Sequence, residues 1–150
     1  MKSQIKFLTA AVIASMAFAT ACNNTDNNPD DTTLKGEIPT GTTLTGNIPA
    51  NATLTSGSSY KLSGGLHVKA GNTLTIEPGV TVVAVDDDAP DYILIEQGAK
   101  IDAQGTASNP IVMTSELKKS GAWGGIHICG RAHTNAAEGV LSEIGNAPYG

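Results

Sequence analysis

Through the middle of this chain apolar residues recur at every second position, and short runs of that kind are punctuated by glycine. Leu66-His67-Val68, Leu74-Thr75-Ile76 and Ile126-His127-Ile128 show the pattern plainly. A period of two puts the apolar side chains on one face of an extended segment, which is the signature of a half-buried strand. The pattern predicts strands over Leu66–Val68, Thr73–Ile76, Val80–Val85, Tyr92–Ile95, Lys100–Ala103, Ile111–Thr114 and Gly125–Ile128, with Gly71, Gly79, Gly98 and Gly105 between them. No window after the first 21 residues keeps a helical period, so helix is expected to be nearly absent from the folded part.

The strands repeat. Leu66 to Ile76 aligns with Ile93 to Ala103 at a constant offset of 27 residues, the glycines Gly71 and Gly98 included. A strand-turn-strand unit this short cannot bury its apolar face alone, so successive copies must stack, as in a β-solenoid. The expected register places Leu66 over Ile93, Val68 over Ile95, Gly71 over Gly98 and Leu74 over Ile101. A second repeat, at an offset of 10, relates Gly36–Thr45 to Gly46–Thr55, each carrying a proline that suits a strand end or an edge. Residues 34–59 therefore read as short capping edge strands, and residues 60–150 as the stacked coils. Composition agrees: 40% of residues are hydrophobic but only 4% aromatic, with 17 glycines, which suits thin aliphatic ladders turned by glycine.

The amino terminus changes the picture from fold to address. Lys2 and Lys6 precede the apolar and small run Phe7 to Ala21, a secretory signal pattern too short to span a bilayer comfortably. Ala19-Thr20-Ala21-Cys22 resembles a bacterial lipobox, although the commonest form has leucine where Ala19 stands; the implied cut leaves Cys22 as a lipidated first residue. Residues 22–33 hold no large apolar side chain after Cys22 and read as a disordered tether. Cleavage at that point takes the formal charge from −5 to −7 by removing Lys2 and Lys6, an acidity that argues against a nucleic-acid partner. The two cysteines, Cys22 and Cys129, form no disulfide framework.

Four segments then occur in order: Leu74-Thr75-Ile76-Glu77-Pro78-Gly79-Val80, Ile95-Glu96-Gln97-Gly98-Ala99-Lys100-Ile101, Asn109-Pro110-Ile111-Val112-Met113-Thr114-Ser115 and Gly121-Ala122-Trp123-Gly124-Gly125-Ile126. Over about residues 60–130 this series resembles the right-handed parallel β-helix lipoproteins, pectin-lyase-like in shape, of gram-negative envelopes. The resemblance implies an all-β, right-handed parallel β-helix behind a signal peptide and tether, anchored by lipid at the outer membrane or cell surface, or else secreted. Such relatives are usually longer, and the turn-like ending Gly145 to Gly150 suggests an amino-terminal fragment. Some relatives carry transport-related labels, but no segment beyond the amino-terminal run could cross a membrane as a helix.

Candidate chemistry is sparse. Asp86, Asp87, Asp88 and Asp91 form an acidic loop that could wrap calcium, against the plainer reading of a charged, solvated insertion; neither an EF-hand nor a calcium-binding nonapeptide spacing is present. No other cofactor is expected. A polysaccharide lyase needs a cation and a base, for which Arg131 and the pair Lys118-Lys119 are the available cations, and a glycosidase needs two facing carboxylates, for which Glu77, Glu96 and Asp102 are candidates. No recognisable partner pattern surrounds any of them, so an enzyme is the weaker reading. His67, His127 and His133 lack metal-ligand spacing; His67 and His127 alternate with apolar neighbours and are expected to point outward, as is Cys129. Trp123, set among glycines, could stack on a sugar ring or cover a corner of the fold. Thr-Leu-Thr triplets at Thr43, Thr53 and Thr73 raise ice binding, but they do not continue into the later strands. The reading favoured is a membrane-anchored binding or structural module for a surface polysaccharide or protein, with a tethered carbohydrate-active enzyme as its rival.

Overall fold

The computed structural model describes residues 34–137 and 139–149; the signal run, Cys22 and the tether lie outside them. Ten strands follow one another: β1 (Gly36–Ile38), β2 (Thr43–Ile48), β3 (Ala52–Leu54), β4 (Ser59–Val68), β5 (Thr73–Ile76), β6 (Thr81–Ala84), β7 (Tyr92–Ile95), β8 (Lys100–Ala103), β9 (Val112–Ser115) and β10 (Gly125–Ile128). Among the described residues there is no helix, and every strand pairing is parallel. One sheet runs β1-β3-β5-β8; the other runs β10-β7-β4-β6-β9, with β2 on the far side of β4. The chain alternates between them as far as β6; β6 and β7, and again β9 and β10, then follow one another in the second sheet, and each pass lays new strands over those of the pass before.

The 27-residue repeat stacks in the expected register. Leu66 pairs with Ile93, Val68 with Ile95 and Leu74 with Ile101, while the Gly71 N–H donates to the Gly98 carbonyl at 2.9 Å. The ten-residue repeat behaves differently: β1 pairs with β3 and β2 with β4, so equivalent positions of the two copies do not lie on each other. β1 and β2 form the outer edges of the two sheets at the amino-terminal end. Spacing between paired positions grows along the stack. Gly36 meets Ala52, Leu74 meets Ile101 and Tyr92 meets Gly125, because ever longer loops are inserted at the corners.

The inward-pointing residues of successive passes form one apolar cluster that includes Leu44, Leu54, Leu62, Leu66, Leu74 and Ile93. Tyr60 is the exception in kind. Its ring is 1% exposed, and its hydroxyl donates to the Ile38 carbonyl at 2.8 Å while accepting the Thr55 N–H at 3.0 Å. A buried phenol is tolerable only when its hydroxyl is satisfied, and here it also ties β1 of the first pass to the β3–β4 corner of the second.

β4 is the longest strand and bends in the middle. Its first half pairs with β6 and its second with β7. The bend falls at Gly64, whose φ of 69° lies in the left-handed region that side chains resist. Asp91 holds this bend. The carboxylate accepts the Gly64 N–H at 2.6 Å and its carbonyl accepts the Gly124 N–H at 2.6 Å. Asp91 is 2% exposed, and burial pushes its carboxyl above the ordinary value; the Gly64 N–H pulls it back and the charge of Asp87 adds to the rise.

Candidate functional site

The strands β4, β7 and β10 lie side by side, and their register sets His67, Leu94 and His127 in one row on the outer face. Sequence separation had kept the two histidines apart; the parallel stacking brings them to either side of a single ring. Tyr92 sits 5.6 Å from His67 and 6.2 Å from His127, centroid to centroid, edge-on to the latter. Its ring lies over Gly65, where any Cβ would collide with it. The signal for Tyr92 was available in the sequence as a lone aromatic preceding an aliphatic strand, but only the pairing with Gly65 gives it a role.

A polar chain runs along this face. Glu96 Oε1 accepts from Lys69 Nζ at 2.6 Å and stands 3.3 Å from His67 Nδ1; His67 Nε2 lies 3.0 Å from the Tyr92 hydroxyl. Since an ionised carboxylate can only accept, His67 donates from Nδ1; its Nε2 accepts from the Tyr92 hydroxyl when the ring is neutral and donates to the Tyr92 oxygen when it is charged. Burial alone would push the Glu96 carboxyl up. Hydrogen bonds from Lys69 and His67, with their charges, outweigh that and hold it below its ordinary value.

The carboxy-terminal segment folds back over the same face. Leu141 and Pro148 form an antiparallel bridge, and Ala147 packs with Leu94 and Cys129 in a second small apolar cluster. Gly145 settles so close that a Cβ there would stand 3.1 Å from His67 Cε1 and 3.2 Å from the Tyr92 hydroxyl. Its φ of 71° demands glycine as well. The turn-like ending is thus a packed cover. Cys129 follows Ile128 at the end of β10, and this cover buries it to 7% exposure. Burial, then the negative charge of Glu96, pushes its thiol up, which leaves it protonated and poorly nucleophilic at neutral pH.

Between β10 and this cover lies a cleft of about 450 Å³ lined by Ile126, His127, Ile128, Cys129, Thr134 and Tyr149 among others. His127 Nε2 donates across 2.8 Å to the Gly124 carbonyl, which turns the ring along the wall. Arg131 extends to the neighbouring turn, where a Cβ on Gly98 would lie 3.2 Å from its Nη2.

The other sequence candidates are dispersed. Asp87 accepts from Ser63 Oγ at 2.7 Å and from the Ala89 N–H at 3.1 Å, and these bonds, the Ser63 hydroxyl first, hold its carboxyl below the ordinary value. Asp91 faces the bend of β4, so the acidic loop binds its own backbone and β4; among the described residues no three His, Cys, Asp or Glu side chains converge as a metal-holding group. Glu77 accepts the Ser56 N–H at 2.7 Å at a corner of the other sheet, and Asp102 accepts from Gln104 at 3.1 Å. Both belong to the β5–β8 side, whereas Glu96 follows β7 in the other sheet. Trp123 is partly buried and packs against the inner apolar cluster, the corner-covering arrangement. Cys22 lies outside the described residues.

In comparison with known families, residues 46–150 fit the model of the pectate-lyase like beta helix domain. No curated protein and no solved structure matches the chain.

Proposed function

The chain belongs to the family of pectate-lyase-like β-helix domains, and on that premise we propose that it is an exported, lipid-anchored binding or structural module of the cell envelope. In this reading the parallel passes wind as a right-handed β-helix, the usual hand for parallel crossovers. Cys22 carries the lipid, residues 22–33 form the spacer, and the β-helix presents its side to a surface polysaccharide or a protein. The observation that carries the binding role is the cleft beside β10, where apolar Ile126 and Ile128, the aromatic Tyr149 and the polar His127 and Thr134 converge. A mixed concave wall of that kind is what ligand recognition requires, and it needs no reacting group. The family's fold supports many functions, so the site and not the fold must decide.

One observation favours a second reading, a tethered carbohydrate-active enzyme. Arg131 lies against the Gly98 turn, two residues beyond Glu96, and a lyase pairs a cation with a base. Two experiments separate these readings. Fractionation of a gram-negative host expressing the full chain or its Cys22→Ser variant should find the first in membranes with lipid on its first residue and the second soluble; wild-type protein wholly in the periplasm or medium refutes the anchor. Incubation with a panel of acidic and neutral polysaccharides, with and without calcium, should give retention without new reducing ends. Cleavage that disappears in Arg131→Ala or Glu96→Gln protein would establish the enzyme instead.

A further inference from the structure

The segment over the outer face is bonded differently from the stack it covers. In the stack, parallel ladders tie strands across successive passes, whereas residues 139–149 carry one antiparallel bridge, between Leu141 and Pro148. The Val140 N–H donates to the Ala137 carbonyl at 3.2 Å, the Ser142 N–H to the Ala147 carbonyl at 2.8 Å and the Tyr149 N–H to the Val140 carbonyl at 3.4 Å. The Ile144 N–H donates to Ser142 Oγ at 3.3 Å. Among the described residues none of the segment's hydrogen bonds reaches β4, β7 or β10. Its aliphatic side chains give little anchorage either, since Val140 is 36% and Leu141 51% exposed. What rests on the stack is small. Gly145 and Asn146, at φ of 71° and 51°, turn the chain down onto Leu94, His67 and Tyr92. Ala147 and Tyr149 complete an apolar patch around Leu94 and Cys129 that is separate from the inner cluster.

The polar groups beneath are satisfied without this segment. His67 is held by Glu96 and Tyr92, and His127 by the Gly124 carbonyl. Lifting the segment therefore leaves none of them unpaired, and it brings water chiefly to Leu94, Cys129 and Ala147. A unit that shares few apolar contacts and no hydrogen bonds with its neighbour opens at a lower free energy than the whole domain. We propose that residues 139–149 form a lid, which lifts as one unit from β4, β7 and β10 while the stack stays folded. It uncovers the Tyr92 ring with its two flanking imidazoles, and the Cys129 thiol. Ser142 and Tyr149 belong to the lid and line the cleft beside β10, so its position also sets the width of that cleft. The lid goes beyond the binding-module reading and operates whether or not the cleft takes a ligand.

Cys129 reports the lid, because in the full chain carrying Cys22→Ser it is the single thiol, and it lies 7% exposed beneath the segment. Its reaction with an aromatic disulfide reagent should run about tenfold or more slower than in the same chain unfolded in urea. Below the unfolding midpoint read from Trp123 fluorescence, the rate should hardly change with urea, since lifting the lid exposes little surface. A Cβ at position 145 would stand 2.6 Å from Leu94 Cδ2, so Gly145→Val should hold the lid open. Labelling should then speed up about tenfold or more while the Trp123 midpoint stays in place. Hydrogen exchange of the wild-type chain covers the case in which that variant does not fold. The amides of Val140, Ser142 and Tyr149 should exchange together, and faster than those of Lys61, Val85 and Glu96, which are bonded within the stack. Labelling that appears only with global unfolding, and steepens with urea as unfolding does, overturns the lid. So do lid amides that exchange no faster than those of the stack, or a Gly145→Val midpoint that falls with the change in labelling, since segment and stack are then one unit. Wild-type labelling as fast as in the unfolded chain overturns it too, because the segment then covers nothing.

Discussion

Replacing Tyr60 by phenylalanine removes one oxygen atom and leaves the ring in place, which makes it a clean probe of what joins the first two passes. The hydroxyl serves two main-chain groups, the buried Ile38 carbonyl at 2.8 Å and the half-buried Thr55 N–H at 3.0 Å. Its loss leaves the Ile38 carbonyl without that partner in a place water does not reach, since Tyr60 is 1% exposed and Ile38 3%, and also removes the acceptor of the half-buried Thr55 N–H. Each buried group left unpaired costs about 1–3 kcal/mol, so Tyr60→Phe should destabilise by about 2–4 kcal/mol. Tyr92→Phe is the matched control. The hydroxyl removed there faces His67 at 3.0 Å on a half-buried face, where water can replace it, and the loss should stay near or below about 1 kcal/mol. Urea unfolding followed by the fluorescence of Trp123, the single tryptophan, reads both. Equal losses in the two variants, or a negligible loss for Tyr60→Phe, would refute the claim that this phenol fastens β1 and the corner after β3 to β4.

Four further outcomes follow from the packing and the charges. Ile95→Asp should unfold the domain, since it buries an unpaired charge at a cost of several kcal/mol, while Ile101→Asp should cost clearly less because Ile101 on the last pass is only half-buried; Thr73→Ala should change the urea midpoint little. Gly65→Ala should cost about 1–3 kcal/mol and shift the Tyr92 ring resonances, because the new methyl meets that ring. The Glu96 carboxyl titrates lower in the folded chain than when unfolded, so its contribution is present above the ordinary carboxylate pKa of 4.5 and is lost as pH falls through the folded value; Glu96→Gln should flatten that part of a Tm-against-pH curve. Asp91 has the opposite sign. Its folded carboxyl is raised, so stability declines as pH climbs from 3.8 through the folded value, and Asp91→Asn, which keeps an acceptor for Gly64, should gain Tm at neutral pH relative to acid.

The sequence by itself determined most strands from Leu66 onward and the register of the 27-residue repeat. Period-two alternation is a local consequence of the extended backbone, and the 27-residue repeat carries the stacking because identical columns must superpose in a parallel ladder; Leu66 over Ile93 and Leu74 over Ile101 needed nothing more. The tertiary structure alone decided which distant residues share a face and how deep each lies. His67 and His127 became neighbours of Tyr92 only because loops of different length return the chain to the same edge. Cys129 and Leu94 are buried only because Gly145 and Ala147 fold back onto them. Corner loops have no period, so their path and the cover they form are set by packing and not by pattern.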